Sequence, residues 1–186
     1  PRPMPQLNAS VAPARRVPNA RRNFWIIDAA TGKRREIAAR LRTQTPQVAM
    51  WVEEGAWHDV RQMEEAAEVF GAGIYDNMHA AFGSEWIPGI DGDPRVSILH
   101  ATGLGENVLG YASTLDEYPS DIHPLSNEAE LITVNLERTT VGSRAYHALL
   151  AQELVRLVQW YHDPNEERWV RDRKSTRLNS SHRYVS

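Results

Sequence analysis

Glu153 is the carboxylate in this chain whose neighbours demand a reason for it. It lies in the stretch Ser143 to Tyr161, SRAYHALLAQELVRLVQWY, which opens on a capping serine and closes before His162-Asp163-Pro164-Asn165. Tyr146, Leu149, Leu150, Leu157, Val158 and Tyr161 recur at helical spacing, so the stretch predicts an amphipathic helix with one inward face. Glu153 falls midway between Leu149 and Leu157 on that face. An unpartnered carboxylate there is costly, since even a neutral polar group loses roughly 2–7 kcal/mol when buried without a hydrogen bond. Two readings stay open on spacing alone: a buried acid with a partner or a task, and a helix-edge glutamate that extends its head to water.

The other residue types able to do chemistry are scattered. There are seven histidines and no cysteine, which excludes a disulfide framework and any thiolate metal site. His147 precedes Gln152 by five residues and does not project with Glu153, and His162 lies at the helix end. His58, His79, His100 and His123 stand singly, without metal-ligand spacing. Asp91 and Asp93 resemble the start of a calcium loop, but Pro94 and Arg95 break the pattern, and a turn is the better reading. Gly103, Gly105 and Gly110 do not make a dinucleotide fingerprint, because Val108 occupies the third glycine's place. No serine-histidine-aspartate order can be argued, since such triads are recognised by geometry.

The 186 residues suit one domain with a real core. A formal net charge of −3 gives no argument for a nucleic-acid partner. No apolar run is long enough to span a bilayer. Pro1 to Arg22, rich in proline, alanine and arginine without periodicity, predicts a disordered lead-in or linker whose arginines face water. Asp172 to His182, DRKSTRLNSSH, is the codon-by-codon translation of a common sequencing-library adapter. Residues 172–186 are therefore expected to be non-native, with the natural chain continuing past Val170 into a segment replaced by that adapter.

Between those ends the elements that must position Glu153 can be drawn. Asn23 to Asp28, Glu36 to Thr43 and Gln47 to Val52 are short runs punctuated by Gly and Pro, which predicts an antiparallel meander. In the middle run Ile37, Ala39 and Leu41 share one side, which favours a strand, while its alanines and arginines also suit a helix. Asp59 predicts an N-cap, with Gln62 at the capping-box position, for a helix carrying Val60, Met63, Ala67 and Phe70 on its inner stripe. Gly71 and Gly73 predict its end or loosening, and a second helical stretch runs from Ile74 to Phe82. Gly83 to Pro94 is a loop by composition, Arg95 to His100 a strand, Val108 to Ser113 a short strand, and Asp116 to Glu130 a turn-rich stretch. Leu131 to Leu136 is a strand that leads into the Glu153 helix.

Several of these segments together resemble one family. They are Phe82-Gly83-Ser84-Glu85-Trp86, Pro88 to Pro94 (PGIDGDP), Gly110-Tyr111, Asp116-Glu117-Tyr118-Pro119, Ser126-Asn127-Glu128, and Asp163 to Glu166 with Trp169-Val170. The chain from Asn23 to Val170 resembles bacterial secreted zinc metallopeptidases of the hyicolysin type, within the zincin group. In that family the helix carries L-A-H-E-x-x-H: the two histidines bind zinc and the glutamate between them is the general base. The resemblance implies an α+β fold, the N-terminal half of a zincin, with a mixed or mostly antiparallel sheet and a packed site helix over residues 23–171. It also implies an extracellular or cell-surface setting, and an edge strand that holds an extended peptide or protein substrate by backbone pairing.

The chain departs from that pattern at the chemistry. Leu150-Ala151-Gln152-Glu153-Leu154-Val155-Arg156 aligns with the motif without a gap, so Glu153 keeps the general-base position and Gln152 and Arg156 stand at the histidine positions. Glutamine is a poor zinc ligand, and arginine, always protonated, is none. The family's further glutamate ligand would fall beyond Val170. No cofactor is expected in this chain, zinc belonging to the family, and the expected function is a metallopeptidase-like domain without catalysis. Two alternatives stay open: a non-catalytic peptide-binding or structural module, and a peptidase with atypical ligands. Arg156, three residues after Glu153, brings a fixed cation to the place the family gives to zinc. Its expected task is to keep a partly buried Glu153 ionised.

Overall fold

A computed structural model describes residues 17–29 and 31–162. The adapter-like tail, Asp163 to Val170 and most of the lead-in therefore lie outside the described residues. The protein is a mixed α+β fold built on one six-stranded sheet. Strand β1 is Arg21–Ile27, β2 is Arg34–Gln44 and β3 is Val48–Glu53. They form the expected antiparallel meander, with a register shift between Leu41 and Thr43. Strand β1 begins at Arg21, inside the stretch read as lead-in, and Arg22 hydrogen-bonds the Asn127 carbonyl rather than facing water alone.

The chain then crosses over through helices, because β3 and β4 (Val96–Ala101) run parallel and cannot be joined by a hairpin. Helix α1, Val60–Val69, starts on Asp59, whose carboxylate accepts the Arg61 and Gln62 N–H groups. Met63, Ala66 and Ala67 face inward, while Val60, expected in that stripe, is exposed. Gly71 and Gly73 do not end the helix. They lie in a π-helical segment, Phe70–Tyr75, which passes directly into α2, Asp76–Phe82. Strand β5 is Gly110–Ala112, β6 is Leu131–Asn135, and α3 is Arg144–His162. The strand order is β1-β2-β3-β4-β6-β5, with β4 and β6 parallel and β5 antiparallel at the far edge.

Each sheet face has its own core. On one, Val48, Met50, Val52, Val96, Ile98, Ile132 and Val134 pack against α1, the π-helical segment and α3. On the other, Phe24, Ile26, Ile37, Ala39, Leu41, Trp51, Leu99 and Leu131 pack together, with Phe24 and Trp51 edge-on at 5.4 Å. The alternation of Ile37, Ala39 and Leu41 was legible because β2 buries one face only. Strands β3, β4 and β6 are buried almost throughout, so they read as continuous apolar runs.

The sheet curls until its two edges nearly meet. Tyr111 of β5 reaches across, and its Oη accepts the Ile27 N–H at 2.9 Å. Beside it, Asn127 takes the place of a strand neighbour for β1: its Oδ1 accepts the Trp25 N–H at 2.7 Å and its Nδ2 donates to the Trp25 carbonyl at 2.9 Å. Asp116, 4% exposed, fixes that amide by accepting Asn127 N–H and Nδ2–H at 3.1 and 2.9 Å. Glu128 holds a left-handed backbone, φ +48°, and its carboxylate accepts the Ser120 N–H. The Asp116-to-Pro119 and Ser126-to-Glu128 segments, singled out by the family resemblance, thus close the sheet. They do not touch Glu153 in any recorded contact.

Replacing Asn127 strands the β1 donor and acceptor together. Asn127→Ala is expected to cost about 2–3 kcal/mol, the scale of buried groups losing their partners. Urea unfolding checks it, and a loss near zero would mean that water or another side chain serves β1 equally well. Burial raises Asp116 to about 7, against the pull of the Asn127 donors and of Arg34 and Arg22. A carboxyl raised on folding favours the folded state fully below its unfolded value, and that advantage is lost as pH rises through the folded value. Stability is therefore expected to fall from mildly acidic pH towards about pH 7, with a smaller fall in Asp116→Asn. Urea midpoints across that range provide the measurement.

Candidate functional site

Helix α3 follows β6 after a short connection. Its first turn is capped by Ser143, whose Oγ accepts the Tyr146 N–H at 3.1 Å. Tyr146, Leu149, Leu150, Glu153, Leu154, Leu157, Val158 and Trp160 are buried. Tyr161, expected on the inner face, is only half-buried, and Trp160 takes the inner position, tilted against Tyr118 with ring centroids 6.0 Å apart. The outer stripe is Ala145, Ala148, Gln152 and Arg156.

Glu153 is inside, at 1% exposure, which removes the reading that its head extends to water. Its Oε2 accepts the Ala112 N–H at 3.0 Å and the Arg156 Nη1–H at 3.1 Å. Ala112 spends this donor on the helix rather than on β6. In an antiparallel ladder, backbone groups at alternate residues turn away from the neighbouring strand. Glu153 therefore serves the open edge of the sheet, fastening β5 to α3. Close approach is needed beside it: a Cβ at Gly110 would stand 2.8 Å from a Leu149 methyl and 2.5 Å from the Thr133 carbonyl oxygen.

Electrostatically the site is a contest. Burial raises the Glu153 carboxyl above its ordinary value, while Arg156 and the Ala112 N–H pull it back. Burial is the larger effect, so Arg156 opposes the cost without cancelling it. The pairing expected between Arg156 and Glu153 is present, with the arginine side chain 42% exposed and the carboxylate enclosed. Gln152 is exposed and no recorded contact brings it to Glu153. The structure thus joins Glu153 and Arg156 and leaves Gln152 on the outer face.

The donor set does not fit zinc. A guanidinium already occupies the carboxylate oxygen that faces the arginine position, and it offers no lone pair to a metal. Among the described residues no group of three or more histidine, aspartate or glutamate side chains is placed to hold a metal ion. The histidines have separate roles. His100 is buried and neutral, lowered to about 4 by burial. It fits a tautomer whose Nδ1–H donates to the Trp51 carbonyl while Nε2 accepts from Tyr146 Oη, both at 2.9 Å. His79 pairs with Glu85. His58 meets the Ala56 carbonyl, and His123 packs on Tyr118. His147 is half-buried, with Nε2 lacking a hydrogen bond. Asp91 and Asp93 form a turn, as expected: Asp91 Oδ1 accepts the Asp93 N–H, and Asp93 holds Arg95.

The partner that the sequence did not disclose is Ala112, because the group in use is a backbone N–H and no side chain marks it. A short strand predicted before the β6 run was the available signal, but its edge position needed the sheet order. No protein-family model matches the chain, and no curated protein matches it. Among the described residues no helix is long and apolar enough to cross a membrane.

Removing the guanidinium leaves an enclosed carboxylate with one donor. Arg156→Gln is expected to raise Glu153 further. It should destabilise the protein by about 1–3 kcal/mol at pH 8, between the exposed and fully buried ion-pair cases. Near pH 4, where Glu153 is protonated folded or unfolded, the loss should shrink. Equal losses at both pH values would mean that Arg156 acts by packing rather than charge.

Proposed function

We propose that this chain is a metallopeptidase-like domain of the secreted zincin kind in which the general-base position has become structural, so that the domain does not hydrolyse peptides. The observation that carries this reading is the Glu153 carboxylate held between Arg156 and the Ala112 N–H. The α+β architecture supports it, because a helix bearing the motif-like glutamate lies beside an antiparallel edge strand. In the family resembled, activity depends on two histidines where this chain has Gln152 and Arg156. Here a fixed cation takes the metal's place beside the carboxylate, and among the described residues no group of three or more histidine or carboxylate side chains is placed to hold a metal that would make a water acidic. The extracellular or cell-surface setting belongs to the same proposal.

Of the two alternatives, the engaged edge favours a structural module over a peptide-binding one. An extended peptide added to β5 would need the Ala112 N–H that Glu153 already holds.

The purified protein is expected to carry no stoichiometric zinc and to show no caseinolytic activity. Metal analysis and a casein assay test this. Stoichiometric zinc with activity abolished by Glu153→Gln would overturn the proposal in favour of a peptidase with atypical ligands. The double variant Gln152→His/Arg156→His, which rebuilds the motif, should gain zinc affinity relative to the parent by calorimetric titration. No gain would sink the alignment of these positions with the family's ligands.

A further inference from the structure

Another buried acid lies away from Glu153. Glu130, at the entrance to β6, is 3% exposed, and its Oε1 has no hydrogen-bond partner. The loop between α2 and β4 folds over it. Gly89 is in contact through its bare Cα, and a Cβ there would stand 1.9 Å from Glu130 Oε2. The Gly89 backbone, at φ +81°, also favours glycine on its own account. The carboxyl is met by the backbone N–H groups of Ile90 and of Glu130 itself.

The charges around it are mostly of its own sign. Glu85, at the loop's start, is buried and bonded by Tyr75 Oη at 2.9 Å and by His79, both from the helical unit. Asp91, at the loop's end, has Arg22 of β1 at 3.6 Å. Arg22 is also committed to the Asn127 and Glu128 carbonyls, and Arg95 to Asp93 and Gln44. Among the described residues no lysine or arginine is ion-paired with Glu130. The same loop leans on the end of α3, where a Cβ at Gly83 would come 2.8 Å from His162 Nε2.

We propose that Glu130 is a proton-held latch for the 84–92 loop: as a neutral acid it seats the Gly89 turn, and as a carboxylate beside Glu85 and Asp91 it releases that turn. The step is a simple deprotonation, with the proton leaving to solvent. Burial and the neighbouring carboxylates set the switching range, raising Glu130 to about 8. The hold on the loop is fullest below the ordinary glutamate range and is lost as pH rises through about 8. This inference is independent of the reading given to Glu153.

Amide hydrogen exchange on the whole chain tests it, with protection corrected for the intrinsic pH dependence of exchange. Between about pH 6 and about pH 9.5, amides of residues 85–92 should lose roughly tenfold protection or more while those of β4 keep theirs. Glu130→Gln, which stays neutral, should abolish the difference. Unchanged loop protection in the wild type, or the same loss in Glu130→Gln, would overturn the latch. Carbon NMR titration of the wild-type Glu130 carboxyl gives an answer even if that variant fails to fold. A midpoint shared with the Ile90 amide shift, well above the ordinary glutamate range, supports the latch, and a midpoint near the ordinary value overturns it.

Discussion

A carboxyl group taken out of water must find donors inside the protein, and in this fold that requirement ties the sheet together. Glu153 is enclosed beneath β5 and finds a backbone N–H of that strand and a guanidinium from its own helix. Asp116 finds the Asn127 backbone and amide. Glu130 finds the backbone of the turn that covers it. Each acid binds a segment that the regular ladder leaves unsatisfied: the β5 edge, the β1 edge through Asn127, and the loop before β4. Desolvation outweighs the local donors in all three, so each carboxyl is raised above its ordinary value.

The curl of the sheet explains why such devices are needed. An open sheet presents unpaired N–H and C=O groups at both edges. Here the β1 edge is met by side chains, Tyr111 at Ile27 and Asn127 at Trp25, and the β5 edge is met by Glu153. A strand in either place would need a partner of matching length, whereas a single amide or carboxylate fits between segments of irregular loop. The left-handed backbone at Glu128 accompanies this fit, since it lies next to Asn127 and anchors Ser120.

The same constraint bears on function. A glutamate that serves as a general base needs a free oxygen and a group that acidifies water. At Glu153 the oxygen Oε2 is shared between a strand and an arginine. In the proposed zincin reading, arginine at a ligand position would remove a metal donor and supply a counter-charge in one substitution, leaving the carboxylate useful to the fold without a catalytic setting.

Much of this could be drawn from residue order alone. The meander, the Asp59 and Ser143 caps, the one-sided burial of β2 and the placement of Glu153 on the apolar face of its helix follow from local periodicity and cap chemistry, which act within a few residues. Arg156 as the partner of Glu153 was also legible, because three residues along a helix bring two side chains together. The lead-in boundary, the exposure of Val60 and the exchange of Tyr161 for Trp160 were not. Each depends on what packs opposite, and a helix stripe does not state its own phase to within one residue. Tertiary structure alone decided that β5 is an edge, that its Ala112 N–H meets Glu153, and that Asn127 stands in for a strand beside Trp25. Those contacts join residues far apart in sequence through backbone groups, and a backbone N–H carries no signature in the amino-acid code.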